Sequence, residues 1–261
     1  MLASYLLDDS DLRLRLMVHK KDVPQHLRSH PRSEVVRADL SAEKTLYPAV
    51  SGVDAIVHFA GVLFKARPEK FLPNTNTRYF ENLVDAANRE GVEKIILISF
   101  PHVEGPTTTE APASGRLDGD PVSVHAQTRL MEERYLFDNV IRPVSLRAGM
   151  VYGRGILMVD AARWFARRML LGVWKERTQI HLISKVDFCR ATANAIQQKD
   201  ANGIYHLGDE GNDSLQEFLD IACEQWGVGK PWRMPLWMIY GAAKIFEIAS
   251  SIFGIRSPLT R

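Results

Sequence analysis

The chain has 261 residues, of which 46% are hydrophobic, enough for the core of one large α/β domain or of a domain with a small lobe. Its formal net charge of +2 and the lack of a basic stripe argue against a nucleic-acid-binding protein. Cys189 and Cys223 lie in apolar helical patterns, so we expect reduced core thiols and a cytoplasmic protein. The histidines lack metal-ligand spacing, and the first residues lack the pattern of a signal peptide.

Apolar runs alternate with helical periodicities along the chain, a pattern typical of a parallel sheet covered by helices. Strands are predicted at Leu12–Val18, Val35–Leu40, Asp54–Gly61, Ile95–Ser99, Val144–Arg147 and Ile204–Leu207. Helices are predicted at Met1–Leu7, Ser41–Val50, Asn76–Arg89, around His125–Arg129, at Met158–Leu171, Asp187–Ile196 and Leu236–Phe253.

Several helices carry more specific signals. Ser41 and Asp187 are predicted to cap the helices that follow them, and Ser214-Leu-Gln-Glu217 forms a capping box, which marks the start of a helix. In the helix predicted at Met158–Leu171, the side chains expected to face inward are Phe165, Met169 and Leu170.

Polar residues stand at strand ends, where open α/β sheets bind ligands. Ser99 ends a buried strand, and His19 and Lys20 follow the strand at Leu12–Val18. In a nucleotide-binding fold, the end of the second strand meets the adenosine ribose. Cations there favour the 2′-phosphate of NADP, whereas a carboxylate favours NAD. A solvated charge cluster is the alternative interpretation.

A titratable ring and a fixed cation are spaced four residues apart in His125-Ala-Gln-Thr-Arg129, so that on a helix they share a face. The segment Pro101–Pro121 before them is rich in Gly, Pro, Thr and Asp. Its length and composition predict a loop on the substrate side.

The predicted last helix, Leu236–Phe253, is apolar except for Lys244 and Glu247. Because both charges lie inside the run, we expect a helix packed on a neighbouring surface instead of one that spans a bilayer. Monotopic membrane contact and a subunit interface are the alternatives.

The order of the motifs resembles the extended or atypical short-chain dehydrogenase/reductase superfamily. This branch includes NAD-dependent epimerase/dehydratases and 3β-hydroxysteroid-dehydrogenase-like proteins. The segments that carry the resemblance are Asp39-Leu40, His58-Phe59-Ala60-Gly61, Asn76 through Ala87, Ile98-Ser99 to Gly105, Arg147 through Gly153, and Val186-Asp187.

The resemblance implies a Rossmann-like, doubly wound parallel sheet in residues 1–150 and a small C-terminal substrate lobe drawn mostly from 151–261. It also implies NADP or NAD as cofactor, with NADP favoured by the cations at the second strand. The substrate would be a small carbonyl or hydroxyl compound. The residues expected to line the cofactor groove are His19, Lys20, Asp39, Leu40, Phe59, Ala60, Gly61, Asn76 and Arg129.

The catalytic pattern departs from that of the family. His125 and Arg129 stand where the family has Tyr-x-x-x-Lys. A histidine with an unperturbed pKa near ~6.5 can do acid/base work, and an arginine can donate to a ribose or stabilise an anion. The family's Ser/Thr position falls on Phe100, so Ser99 is the nearest hydroxyl. The alternative for His125 is a surface histidine left after catalysis was lost.

The ends of the chain also depart from the family. The phosphate loop of the family, G-x-x-G-x-x-G, does not occur near the start of this chain. In the family, the strand that precedes this loop lies between the second and fourth strands of the sheet. We therefore expect a hole in the sheet or re-paired strands. Ser257–Arg261 resembles a motif that more chain normally follows. A fragment is expected; the alternatives are loss of cofactor binding or a strand borrowed from a partner.

Three functional hypotheses follow. The first is an NAD(P)-linked oxidoreductase or epimerase-like protein with His125, Arg129 and Ser99 at its catalytic site. The second is a non-catalytic scaffold or accessory subunit, whose apolar C-terminal helix contacts a second copy or a protein partner. The third is a cofactor-independent isomerase that uses His125.

Overall fold

The structure, a computed structural model, describes residues 1–59, 61, 67–108, 110–211, 214–238 and 241. The strands are β1 (Leu14–Val18), β2 (Ser33–Arg37), β3 (Ile56–His58), β4 (Lys94–Ser99), β5 (Arg142–Ala148), β6 (Met150–Tyr152), β7 (Gly172–Trp174), β8 (Leu182–Ser184), β9 (Gly203–Leu207) and β10 (Trp232–Met234). The helices are α1 (Leu2–Asp9), α2 (Gln25–Arg28), α3 (Glu43–Val50), α4 (Tyr79–Arg89), α5 (Val124–Asn139), α6 (Leu157–Ala166), α7 (Lys185–Gln197) and α8 (Leu215–Gln225). The turns Pro68–Lys70 and Pro101–Glu104 are 3-10 helical, and Pro73–Arg78 is π-helical.

The chain forms two compact units. The first takes in most of the residues up to Arg147 together with Cys189–His206, and the second takes in Ala148–Phe188 and the described residues from Leu207 onward. The α/β fold with parallel strands is the fold predicted from the sequence.

The sheet of the first unit is interrupted at the place that the sequence predicts. β1 and β2 form a parallel pair, with Val18 opposite Arg37. A separate sheet has the order β3-β4-β5-β9, in which Ser99 at the end of β4 lies opposite Arg147 of β5. No strand of the described chain joins the two, and β1 and β3 are only partly buried, whereas β4 and β5 are almost entirely buried.

The core of the first unit lies between the sheet and the helices α3, α4 and α5. Phe80, Leu83, Val84 and Ala87 are buried because they recur at helical spacing on one face of α4. They pack against β4 and α3, and fully burying side chains of this kind contributes about 1.5–3 kcal/mol each. The same packing fixes where β4 and α5 place their polar residues.

The second unit contains the parallel pairs β6–β8 and β7–β10. Helix α8 begins with the predicted capping box: the Ser214 hydroxyl accepts a hydrogen bond from the Glu217 N–H, and the Glu217 carboxylate accepts one from the Ser214 N–H. Cys223 and, in α7, Cys189 are buried and are not joined in a disulfide, as predicted.

The prediction for α6 is wrong on its C-terminal part. The helix ends at Ala166, not at Leu171, and Phe165, Met169 and Leu170 are exposed, not inward. Met169 takes a left-handed conformation with φ of 56°, which ends the helix there. Helical spacing identifies an apolar face but not the side on which the core lies.

The two predicted single-residue caps are also wrong. Helix α3 is preceded by Ala42, and the Ser41 hydroxyl donates instead to the Asp39 carboxylate at 2.7 Å. Asp187 lies inside α7, where its N–H donates to the hydroxyl of Ser184 at 3.1 Å. In both places a short polar side chain nearby competes for the position that the sequence pattern assigns.

Asn76 lies in the π-helical turn that leads into α4, so the predicted helix is present but begins with a wider turn. The predicted helix Leu236–Phe253 lies mostly outside the described residues, as do Ser257–Arg261. No helix in the described part of the chain is long and apolar enough to cross a membrane.

Candidate functional site

Polar residues from several elements of the first unit come together where β3 and β4 end. Asn76 donates from Nδ2 to Thr128 Oγ1 at 3.3 Å, which ties the π-helical turn to α5. A methyl group on the Cα of Gly61 would lie 3.2 Å from Arg129 Nη2, so the guanidinium lies directly over this glycine. The Phe100 ring, which follows Ser99, meets the His125 ring edge-on at 5.4 Å.

Three of these residues carry buried polar atoms that have no hydrogen-bond partner within the described chain: Asn76 Oδ1, Ser99 Oγ and His125 Nδ1. A buried polar group left without a partner costs about 1–3 kcal/mol. Because they lie on neighbouring elements, these three atoms are candidate contacts for a ligand.

His125 is a half-buried residue in the first turn of α5, not a surface histidine. Burial lowers the pKa of the imidazole, and the neighbouring Arg129 cation lowers it further. The ring is therefore neutral near neutral pH, which is the form that accepts a proton.

Arg129 is held by a buried carboxylate one turn further along α5. Its Nη1 lies 2.5 Å from Glu132 Oε2, and neither side chain is more than 6% exposed. Burial raises the pKa of Glu132 to about 7, although the adjacent Arg129 acts in the opposite direction. The arrangement fixes the guanidinium beside Gly61.

A second buried ion cluster lies beneath the loop that follows β4. Arg147 of β5 bonds to the carboxylates of Glu104 and Glu133, and all three side chains are inaccessible to solvent. Glu104 also accepts hydrogen bonds from the backbone N–H groups of Ser114, Gly115 and Arg116. Burial acts to raise the pKa of Glu104, but these N–H groups and Arg147 outweigh it and hold that pKa low.

This cluster gives the predicted substrate-side loop a defined course. Because one carboxylate binds three successive N–H groups, residues 114–116 are anchored to the sheet although they contain little apolar material. The loop is thereby fixed next to the end of β4.

The residues predicted to meet the adenosine end of a cofactor lie at the ends of β1 and β2. His19 Nε2 lies 3.1 Å from Asp39 Oδ2, and both side chains are partly exposed. The N–H and hydroxyl of Ser41 hold the pKa of Asp39 below its ordinary value, with smaller contributions from His19 and Lys20. Lys20 is exposed and Leu40 is half-buried.

The remaining predicted groove residues follow β3. Phe59 is exposed, and Gly61 lies beneath Arg129 as described above. Ala60 lies outside the described residues. The described residues contain no cluster of side chains able to hold a metal ion.

Sequence reasoning missed Glu132 and the cluster of Glu104, Arg147 and Glu133. One signal was available: Arg147 stands in an otherwise apolar run, and a charge in a buried strand needs a buried partner. For Glu132, the spacing of three residues from Arg129 permits a pair on a helix, but it does not say that the pair is buried.

Two groups of polar residues thus lie at strand ends of the first unit. One consists of Asn76, Ser99, His125 and Arg129, and the other of His19, Asp39 and Lys20. In open α/β sheets, ligands bind outside the carboxyl ends of the strands.

A model of the family described as "NAD(P)H-binding" matches residues 1–162. The chain belongs to the NAD(P)H-binding family. The resemblance to the extended short-chain dehydrogenase/reductase superfamily is thereby confirmed at the level of the superfamily of NAD(P)-dependent dehydrogenases and epimerases.

The chain is similar to the uronate dehydrogenase of Pseudomonas putida, with 30% identity over 192 residues that cover 72% of this chain and 71% of that protein. It is 20% identical over 235 residues to the decarboxylating sterol-4-alpha-carboxylate 3-dehydrogenase of Mus musculus, covering 84% of this chain and 65% of that protein. The solved structure of WbmG from Bordetella bronchiseptica, a complex with NAD and UDP, superposes with a TM-score of 0.74 at 17% identity, covering 90% of this chain and 77% of that one. This last similarity establishes the fold alone.

Proposed function

We propose that the protein is an NAD(P)-linked oxidoreductase in which the pair His125 and Arg129 replaces Tyr and Lys. The observation that carries the proposal is the half-buried imidazole of His125, whose Nδ1 has no partner in the described structure and which lies one helical turn from the buried Arg129. Burial lowers the pKa of this ring. A neutral imidazole beside a fixed cation is suited to take a proton from a hydroxyl group.

In the proposed reaction, the imidazole of His125 accepts the proton of the substrate hydroxyl. A nicotinamide held in the groove would supply the hydride acceptor. Arg129 stabilises negative charge in the groove and donates to the ribose, which the planar guanidinium does without losing its own proton. Ser99 Oγ and Asn76 Oδ1 supply hydrogen-bonding positions on either side. The ordered residues 114–116 border the substrate.

We further propose that the substrate is a hydroxy compound that carries a carboxylate. The support comes from the relatives, since one is named for uronates and the other for a sterol carboxylate. A substrate of this class brings an anion to a site whose buried residues include a fixed cation, Arg129.

The test measures NADH and NADPH formation with uronates, with other hydroxy acids and with the corresponding neutral alcohols. We expect turnover with acids only and a loss of about 10²-fold or more in kcat for His125→Ala. His26→Ala, which replaces an exposed histidine on α2, serves as the matched control. Nucleotide binding without turnover on any of these compounds, or full activity of His125→Ala, would overturn the proposal.

NADP is the cofactor that the charges favour. His19, Lys20 and Lys21 follow β1 in succession, and cations at this strand end suit a 2′-phosphate. Lys20→Glu should weaken NADPH binding by about tenfold and leave NADH binding nearly unchanged, as measured by nucleotide fluorescence. Equal weakening for both nucleotides would contradict this preference.

The same titration addresses the scaffold hypothesis, because the interrupted sheet between β1 and β3 is the feature that favours it. A folded protein that binds neither nucleotide at millimolar concentration would leave the non-catalytic role as the better explanation.

A further inference from the structure

An exposed apolar cluster lies on the second unit, and none of its members takes part in the proposed reaction. Its members come from the end of α6, the turn that follows it and the start of β10. The exposed fractions are 49% for Trp164, 41% for Phe165, 78% for Met169, 63% for Leu170 and 65% for Trp232. Side chains of this size and kind rarely gather at a surface that faces only water.

The cluster is held together by direct contacts. The indole N–H of Trp232 donates to the carbonyl of Met169 at 2.9 Å, and the backbone N–H of Trp232 donates to Leu171 at 2.9 Å. The rings of Trp164 and Phe165 meet edge-on at 4.9 Å. A cavity of about 190 Å³ lies between Met169 and Trp232. Trp232 is thus joined to the turn after α6, and Trp164 is joined to Phe165 at the end of that helix.

The turn that ends α6 exposes two of these side chains. Met169 adopts φ of 56°, a conformation that residues with a side chain take rarely. The N–H of Leu170 donates to the Phe165 carbonyl and that of Met169 donates to the Ala166 carbonyl, each at 2.9 Å, which is the pattern of a Schellman helix cap. Met169 and Leu170 follow this cap and are exposed.

Cations surround the apolar cluster. Arg163, Arg167 and Arg168 form no ion pair within the described chain, and the Arg168 guanidinium stacks on the Trp164 ring with its carbon 3.8 Å from the ring centre. Lys230 borders the cavity and is paired with Asp220 at 3.6 Å. Asp160 is the acidic residue of α6, one turn before Arg163. Arg168 on the Trp164 ring and Lys230 at the cavity thus place cations directly beside the apolar side chains.

We propose that this surface docks the protein on an anionic lipid membrane. Trp, Phe, Met and Leu side chains enter the boundary between headgroups and acyl chains, while arginines pair with lipid phosphates and carboxylates. A second copy of the chain fits less well, since a self-complementary contact would bring the same unpaired arginines against each other. A nucleic acid would satisfy the cations but leave Met169 and Leu170 without an apolar partner.

The experiment is co-sedimentation of the whole chain with vesicles of phosphatidylcholine, with and without phosphatidylserine. We expect binding to the anionic vesicles that weakens as salt is added. Replacing two cations in Arg167→Gln/Arg168→Gln should weaken binding about fivefold for each charge removed. Met169→Glu/Leu170→Glu should weaken it by about tenfold or more.

Two matched variants keep the test specific. Ile141→Glu changes an apolar residue of the first unit that is 70% exposed, and Lys44→Gln/Lys199→Gln removes two exposed cations there. Both should bind vesicles like the unaltered chain. Circular dichroism confirms that each variant is folded.

The proposal is overturned if the unaltered chain ignores anionic vesicles, if it binds neutral vesicles equally well, or if Met169→Glu/Leu170→Glu binds like the unaltered chain. Light scattering supplies a further check, because an oligomer that this double variant dissociates would identify the surface as a contact between copies. None of these outcomes depends on nucleotide binding or turnover.

Discussion

Arg129 and Glu132 form an ion pair in the interior of the protein: Nη1 and Oε2 are 2.5 Å apart, and the side chains are 6% and 0% exposed. Burial raises the pKa of Glu132 to about 7 against the opposing effect of Arg129. The carboxyl group therefore exchanges its proton close to neutral pH. This makes the charge next to Arg129, and hence next to the candidate site, dependent on pH.

Glu132 should make the stability of the protein fall as the pH rises. Its pKa is about 7 in the folded protein against an ordinary value of 4.5, so the folded state binds more protons between these values and loses stability across that range. The contribution is about 3 kcal/mol. Glu132→Gln removes it, so the free energy of unfolding of the variant relative to the unaltered protein should increase by that amount between pH 4.5 and pH 8.

Urea unfolding of both proteins at a series of pH values measures this difference. Glu81→Gln is the matched control, because it makes the same replacement at a carboxylate that is paired with an exposed arginine, Arg78. If the difference for Glu132→Gln does not change with pH, the Glu132 carboxyl is not protonated in the folded protein.

Arg147 should be among the residues whose loss destabilises the protein most. Arg147→Met leaves the carboxylates of Glu104 and Glu133 buried without their shared cation. Removing one partner of a buried ion cluster typically costs about 3–5 kcal/mol. Arg78→Met removes an exposed ion pair on the helical surface and should cost less than about 1 kcal/mol.

Chemical denaturation gives both values, and hydrogen exchange locates the effect. The N–H groups of Ser114, Gly115 and Arg116 bond to Glu104, so their exchange should be slow in the unaltered protein and faster in Glu104→Ala. If these amides exchange freely in the unaltered protein, Glu104 does not anchor the loop.

The pH dependence of turnover should report His125. Burial lowers the pKa of the imidazole below 6.5, and the neutral form is the one proposed to accept the proton. The value of kcat/KM for oxidation should therefore rise with pH and level off, with a midpoint below 6.5. Arg129→Met removes a cation that contributes to the lowering, so at saturating cofactor the midpoint should move upward. A midpoint above 6.5 in the unaltered enzyme would assign the titration to another group.

Patterns within one element were sufficient to predict most of the fold. The spacing of Phe80, Leu83, Val84 and Ala87 gives the buried face of α4, and the unbroken run 95–98 gives the buried strand β4. The order of such segments, together with the family resemblance, placed Ser99 and His125 near the same end of the sheet. The interruption between β1 and β3 was expected from the strand order of the resembled family.

Features that depend on packing between elements could not be predicted from the sequence. Phe165, Met169 and Leu170 have helical spacing, yet the helix ends before the last two and all three are exposed. Arg147 and Glu104 are 43 residues apart, so nothing in the sequence pairs them. Glu132 and Arg129 are close in sequence, but their burial depends on the residues that cover α5. The buried ion pairs of the site therefore could not be predicted from the sequence.

Two serines were predicted to begin helices, Ser214 for α8 and Ser41 for α3, and in the structure only Ser214 does so. Ser214 exchanges hydrogen bonds with Glu217 at the start of α8, whereas the hydroxyl of Ser41 donates to the partly exposed Asp39 and does not cap α3. Ser214→Ala should therefore lower the free energy of unfolding by about 1 kcal/mol, the usual cost of losing an N-cap. Ser41→Ala should lower it by less than about 0.5 kcal/mol, as expected for a surface substitution. Urea unfolding distinguishes the two, and equal losses would mean that Ser41 contributes as much to the start of α3 as Ser214 does to that of α8.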